Sequence, residues 1–292
     1  TKVLVNAAEH HQSFDEAMAH KTTVVARLNE KNYHMLADRE TVSVIEGEAS
    51  FVDDRTVKIV AGNDELVVSA PQIFINTGAE SIIPDIPGVD KPFVYTSTEL
   101  LDRMTQPKQL AIIGGGYIGL EFASTYAKLG TKVTVFERGD ALLAREDPAI
   151  ARAATEALQA QGIEIVFSVD VAAIEGESTA TIRTVNHDDY AGYDAVLMAT
   201  GRRPATMSLN LPAAGVATDE RGAIVVDETL RTSRSHIWAM GDVTGGPQFT
   251  YASLDDFRIV RSQLLGDGSY TRAQRKPMAY SVFMQTPLAR IG

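Results

Sequence analysis

Gly114-Gly115-Gly116-Tyr117-Ile118-Gly119 is the stretch whose residue types and spacing point most directly to chemistry. It follows an apolar run, Leu110 to Ile113, and opens a segment of helical spacing, Tyr117 to Leu129, closed by Gly130. A GxGxxG in that context binds a dinucleotide. Gly114 permits the tight turn, Gly116 lets the backbone approach a pyrophosphate, and Gly119 lets helix and strand pack closely. The helix N-terminus adds N–H donors and partial positive charge for the phosphates. Glu137 ends the next apolar run, Lys132 to Phe136, where an acid accepts from the adenosine ribose. A carboxylate there repels a 2′-phosphate, which favours NADH over NADPH. Arg138 beside it reads either as a solvated charge or as a phosphate contact. Without the flanking strand and helix, the same glycines would mark only a turn.

A second group lies further on. Met240-Gly241-Asp242 follows a short apolar run from Ile237, and an Asp at a strand end beside Gly can bind a sugar-alcohol hydroxyl. Taken alone, it reads equally as a turn Asp. Phe249-Thr250 opens a helix to Leu265, whose N-terminus suits a partly negative carbonyl.

The elements that must position these groups alternate between two periods. Residues 3 to 38 read as an amphipathic helix through Val3, Leu4, Phe14, Met18, Val24, Val25 and Leu28. Short β-type runs follow at Val42–Ile45, Phe51–Val52, Val57–Val60 and Leu66–Val68, broken by Asp53-Asp54 and Gly62-Asn63-Asp64. This pattern predicts an antiparallel meander. Ile73 to Ile75 is a buried strand ending at Thr77-Gly78, and Pro84, Pro87, Gly88 and Pro92 mark a linker. Thr96 and Glu99 have capping-box spacing. Beyond the first βαβ unit, Asp147-Pro148 starts a helix ending at Gly162. Strands are expected at Ile163–Phe167, Thr179–Val185 and Ala195–Ala199, the last closing at Thr200-Gly201, and again at Ile224–Val226. Two apolar strands that each end in Thr-Gly suggest two related dinucleotide domains.

Composition narrows the class. With 292 residues, 45% of them hydrophobic, the chain can bury more than one core. A net charge of -11 excludes nucleic acid or an anionic membrane as the main partner, since either needs a basic face. No run of 18 apolar residues is present, so no membrane span is expected. There is no cysteine, hence no disulfide or thiolate metal site within the chain, and no His spacing suits a metal. A cytoplasmic protein is the default expectation. The chain starts at Thr1 without an initiator Met and is expected to be an internal piece of a longer protein.

In order along the chain, Thr77-Gly78-Ala79, Gly114 to Glu121 (GGGYIGLE), Ala199 to Pro204 (ATGRRP) and Ala239 to Asp242 (AMGD) resemble the pyridine nucleotide-disulfide oxidoreductases, the family of glutathione, lipoamide and mercuric reductases. The resemblance covers essentially the whole chain. It implies an α/β protein with two Rossmann-like domains: a discontinuous FAD domain at 1–92 and 205–272, an inserted NAD(H) domain at 93–204, and the start of an α+β dimerisation domain at 273–292. The resemblance implies that Asp242, beside Gly241, binds the FAD ribityl, that Ala49 contacts the adenine by its backbone, that Thr77 and Gly78 line the FAD site, and that Phe249 and Thr250 lie beside the flavin. Gly114, Gly116, Ile118, Gly119, Glu137 and Gly201 would hold NADH, while Tyr117 covers the nicotinamide pocket. Lys2 and Glu121 would form an ion pair near flavin N5.

The family pattern is incomplete here. Its first FAD-binding GxGxxG and its redox cysteine pair belong before Thr1, and most of its dimerisation domain after Gly292. The resemblance therefore implies a homodimeric parent. That parent would pass hydride from NADH to FAD, then electrons through a disulfide to an oxidised small substrate of disulfide or hypothiocyanous-acid type. An NADH oxidase or metal-ion reductase is the rival enzyme, and a non-catalytic nucleotide-binding module the rival of another class. This chain alone is expected to bind NADH without turnover and to retain flavin weakly.

Overall fold

A computed structural model describes residues 3, 4 and 13–291. In chain order it runs through a helix α1 (Phe14–Ala37), an antiparallel meander β1 (Glu48–Phe51), β2 (Thr56–Ala61) and β3 (Asp64–Ser69), then β4 (Ile73–Ile75) and β5 (Ala79–Ser81). There follow β6 (Val94–Tyr95), α2 (Ser97–Asp102), β7 (Gln109–Ile113), α3 (Tyr117–Lys128), β8 (Lys132–Phe136), α4 (Pro148–Gln159) and β9 (Glu164–Val166). A second meander, β10 (Val171–Glu175), β11 (Ala180–Thr184) and β12 (Asp189–Tyr193), leads to β13 (Ala195–Met198) and β14 (Arg202–Pro204). The remainder holds α5 (Leu211–Ala214), β15 (Ile237–Ala239), α6 (Thr250–Leu265), β16 (Ala279–Val282) and β17 (Leu288–Ile291).

The chain divides into two compact units, the first comprising the described residues up to Met35 with Ser81–Gly201 and Ser281–Ala289. Its centre is a parallel sheet in the order β6-β13-β7-β8-β9. Alternate residues of its strands point to two cores, which is why they read as continuous apolar runs. Leu110, Ile112, Val133, Val135, Ala195 and Leu197 face a core shared with α3, Leu100 and Leu158, and Ala111, Ile113, Phe136, Val196 and Met198 face Ile174, Ile182 and Tyr193 of the second meander. Phe14, Ala17 and Met18 join the first of these cores. Helix α1 thus packs by its N-terminal turns on the core of this unit. Thr96 and Glu99 form the expected capping box on α2, and Asp147 caps α4, with its Oδ1 accepting from Ala149 N–H at 2.7 Å.

The second unit comprises, among the described residues, 36–80, 202–280, 290 and 291. Strands β4 and β15 pair in parallel, Ile73 against Ile237 and Ile75 against Ala239. Ile237 and Ala239 face Phe51, Ile75, Leu211 and Val243, whereas Trp238 turns to Leu230, Ile259 and Val260. Full burial of such side chains stabilises by about 1.5–3 kcal/mol each. Two expected strands do not form. Val42–Ile45 has no strand partner among the described residues, and Val44 and Ile45 are exposed. Ile224 makes only a single bridge, to Thr218, and reaches the core by its side chain. Strands β10 and β12 were not foreseen.

Candidate functional site

In the first unit the glycine turn joins β7 to α3. Gly114 has φ +113, and a Cβ there would lie 2.4 Å from the Ala199 carbonyl oxygen, so only glycine fits. A Cβ on Gly119 would lie 2.1 Å from the Gly114 oxygen, and Gly119 is buried where helix meets strand. Gly116 differs from both: it is exposed, and a Cβ would meet nothing within 4 Å. It is the N-cap of α3, with no side chain capping the first turn. An open backbone face beside uncapped helix N–H groups fits a dinucleotide pyrophosphate.

The segment after β8 frames this turn. The Glu137 carboxylate accepts from Gly115 N–H through Oε2 and from Gly139 N–H through Oε1, each at 2.7 Å. These bonds fix its orientation, and each oxygen retains a further lone pair for a ligand hydroxyl. Leu143, with φ +52, donates its N–H to the Gly115 oxygen at 3.2 Å. Tyr117 donates its hydroxyl to Glu146 Oε1 at 2.5 Å. Ile118 is half-buried in the first turn of α3, and Arg138 is exposed. Gly201 stands at the end of the segment after β13, where its carbonyl accepts from Ile82 N–H at 3.0 Å and the Thr200 hydroxyl donates to the Ile82 oxygen at 2.8 Å. Glu121, further along α3, accepts from Phe283 N–H at 2.9 Å. Lys2, its expected ion-pair partner, lies outside the described residues.

The second unit repeats one of these devices. Thr77 donates its hydroxyl to the Ala205 oxygen at 2.8 Å, and Ala205 N–H donates to Gly78 O at 3.0 Å. Each Thr-Gly pair thus clasps the residue four positions beyond the other pair's glycine. Asp242 sits in a tight turn, Gly241–Thr244, after β15. Burial pushes its carboxyl above the usual range, Asp256 adds to that, and Arg202 opposes it. Strand β14 runs beside this turn. Arg202 donates one guanidinium nitrogen to the Ala79 oxygen, while its Nε is buried with no hydrogen-bond partner among the described residues. A buried donor left unmatched beside a half-buried carboxylate calls for a ligand with both acceptors and hydroxyl donors. The ribityl and phosphate groups of FAD have that chemistry, so the residues present fit the group.

Ala49 lies half-buried in β1, in register with Ile59. Phe249 stacks on Tyr280 with ring centroids 4.3 Å apart, and Thr250, exposed, starts α6 without a side-chain cap. The structure brings Gly114, Gly116, Tyr117, Ile118, Gly119 and Glu137 together in one unit, and Thr77 and Gly78 near Ala205, with Gly241 and Asp242 on one turn, in the other. Sequence reasoning missed Glu146 and Arg202. Arg202 lay within the ATGRRP motif, so its strand-end place was a usable signal; Glu146 had none.

The chain matches the family of pyridine nucleotide-disulphide oxidoreductases over residues 1–256. It is similar to the HOCl-induced flavoprotein disulfide reductase RclA of Escherichia coli, whose Cu(II) complex superposes with a TM-score of 0.96 at 46% identity, covering 100% of this chain and 66% of that one. The mercuric reductase of Staphylococcus aureus is 37% identical over 84% of this chain and 45% of its own length. That of Streptomyces lividans is 34% identical over 99% and 61%. The chain therefore spans from under half to about two thirds of the length of these relatives. No helix among the described residues is long and apolar enough to cross a membrane.

Proposed function

The chain belongs to the pyridine nucleotide-disulphide oxidoreductase family, whose members depend on FAD and use NAD(P)H, and from that premise we propose that its first unit holds NADH and its second unit holds part of FAD. The observation that carries the first assignment is the contrast among the three glycines: two are closed by packing and one, Gly116, is open toward solvent at an uncapped helix end. Glu137, held by two backbone N–H groups, takes the adenosine ribose and selects NADH. Tyr117 borders the same turn, on the nicotinamide side, with Gly201 approaching the dinucleotide. The unmatched Arg202 Nε and the Asp242 carboxylate carry the second assignment, with Gly241, Thr77, Gly78, Ala49, Phe249 and Thr250 as its surroundings.

The whole-protein reaction is NADH plus a proton plus an oxidised disulfide giving NAD⁺ and two thiols. FAD supplies the two-electron relay between nicotinamide and disulfide. The residues of this chain bind and orient the two dinucleotides, and the redox cysteines are assigned to sequence outside it. The acceptor is an oxidised small molecule of disulfide or hypothiocyanous-acid type, and the working form is a cytoplasmic homodimer. A metal-ion reductase is the second reading, favoured by the mercuric reductases and by the copper complex among the relatives.

The test is anaerobic mixing of the full-length protein with NADH or NADPH, followed by the visible flavin band and by thiol titration. Bleaching by NADH, followed by two thiols per NADH with a disulfide acceptor or by one thiocyanate and no new thiol per NADH with hypothiocyanous acid, supports the proposal. Bleaching with reoxidation only by oxygen or by a metal ion favours the rivals, and no bleaching by either nucleotide contradicts the proposal.

A further inference from the structure

Asp255 and Asp256 stand side by side on the second turn of α6 and are only 8% and 4% exposed. Adjacent buried carboxylates require partners. Arg275 supplies them: its Nε lies 2.8 Å from Asp255 Oδ2, and its Nη2 pairs with Asp256 Oδ1. Each carboxylate then uses its second oxygen elsewhere. Asp255 Oδ1 accepts from the Tyr270 hydroxyl at 2.8 Å. Asp256 Oδ2 accepts from the Gly241 N–H at 2.7 Å. The guanidinium fork is thus split between two acids, and one of them ends on the backbone of the residue preceding Asp242. All of these groups lie within the second unit.

We propose that Arg275 is a positioning residue for the ligand of Asp242: it holds Asp256 against the Gly241 N–H and so fixes the turn that aims Asp242 at the ligand's hydroxyls. This rests on the assignment of FAD to Asp242. The arrangement has a geometric and an electrostatic side. Geometrically, Asp256 can brace Gly241 only while its other oxygen is held. Electrostatically, the charged groups facing Asp242 are Asp256 from α6 and Arg202 from β14. Arg275 and Asp255 lie one step further out. Arg275 therefore screens the Asp256 charge that works against ionised Asp242.

The test measures FAD affinity of the full-length protein by recovery of flavin fluorescence on release, over a pH series in which circular dichroism shows the fold intact. Arg275→Gln loses FAD affinity by about tenfold, the scale of one charge-assisted hydrogen bond. It also moves the midpoint of acid-induced flavin release to higher pH, because the unscreened Asp256 raises the Asp242 carboxyl further. Asp256→Asn keeps an oxygen for Gly241 N–H and removes the charge, so its midpoint moves to lower pH. Arg275→Lys keeps the wild-type midpoint and recovers part of the affinity. Shifts of opposite sign are the signature of positioning. A purely structural role moves both midpoints the same way or not at all, with affinity lost in proportion to melting temperature, and that result overturns the proposal. If Arg275→Gln does not fold, Arg275→Lys and Asp256→Asn carry the test: an unmoved midpoint for Arg275→Lys with a lower one for Asp256→Asn supports the proposal, and an Asp256→Asn midpoint that stays or rises overturns it. Asp242→Ala serves as the control: if it leaves FAD affinity unchanged, the FAD assignment fails and the proposal with it. If Asp242→Ala weakens FAD while the Arg275 variants do not, only the positioning role fails.

Discussion

The glycine turn of the first unit takes its path from backbone packing, with the Glu137 carboxylate bracing Gly115 N–H, whereas the Asp242 turn of the second is braced by buried, paired charges. Gly114 to Gly119 leave the middle of a five-stranded parallel sheet, and close packing at Gly114 and Gly119 sets the path of the turn. Asp242 leaves a two-stranded pairing of β15 with β4, and its turn is braced by Asp256, itself paired with Arg275. The first kind of site depends mainly on shape. The second depends on charge balance in a half-buried setting and is expected to respond to pH. On the proposed assignment, one chain uses two physical solutions for groups that point at a dinucleotide.

The largest effect expected from this contrast is steric. Gly119→Val forces a Cβ into the Gly114 carbonyl and destabilises the first unit by about 1–3 kcal/mol or more, the scale of overpacking, with NADH binding lost alongside. Gly116→Ala places its Cβ in open space, so melting temperature stays at the wild-type value while NADH affinity falls by about tenfold, as for one lost charge-assisted contact. Equal melting temperatures for the two variants would break the distinction between packed and open glycines. Melting curves and a nucleotide titration read both.

Glu137→Arg sharpens the comparison on the polar side of the same turn. It removes the ribose acceptor and offers a cation to a 2′-phosphate, so NADH weakens by roughly tenfold to a hundredfold and NADPH improves. Paired titrations of the two nucleotides measure it. Unchanged preference removes Glu137 from the site.

Asp242→Asn gives the smallest expected change in stability and the clearest pH signature. The Asp242 carboxyl is raised by burial, with Asp256 adding and Arg202 opposing. A folded-state pKa above the unfolded value means the folded protein binds the proton more tightly. The ionised group therefore costs stability above the folded pKa, and that cost is relieved as pH falls through it. The ligand-free Asp242→Asn variant should melt slightly higher than wild type at neutral pH, with the difference vanishing in acid. In the flavin-bound protein the same change should weaken FAD retention. A variant that melts lower at neutral pH contradicts the sign.

Much of the first unit was legible because its signals are local. The runs Leu110–Ile113 and Lys132–Phe136, the Asp147-Pro148 start and the Thr96–Glu99 box each specify their element from adjacent residues. Strands β10 and β12 were not legible, since both are held by pairing with β11, and Asp189-Tyr190-Ala191-Gly192-Tyr193 has little strand preference of its own. Val42–Ile45 misled in the opposite direction: β-branched residues without a neighbouring strand stay exposed and irregular. At the site, the glycines and Glu137 follow from a motif with a mechanism. Asp255, Asp256 and Arg275 do not, because a pair of acids on an amphipathic helix reads as a solvated face until Arg275, nearly 20 residues away, is seen folded back onto it.

The open backbone at Gly116 and the first turn of α3 are proposed to receive NADH. Hydrogen–deuterium exchange of this chain with and without NADH tests it at residue level. Protection of amides is expected in residues 114–120 and in the Glu137–Leu143 segment, with the same protection absent for NADPH at equal concentration. Measurable NADH binding with no change in those amides would contradict it.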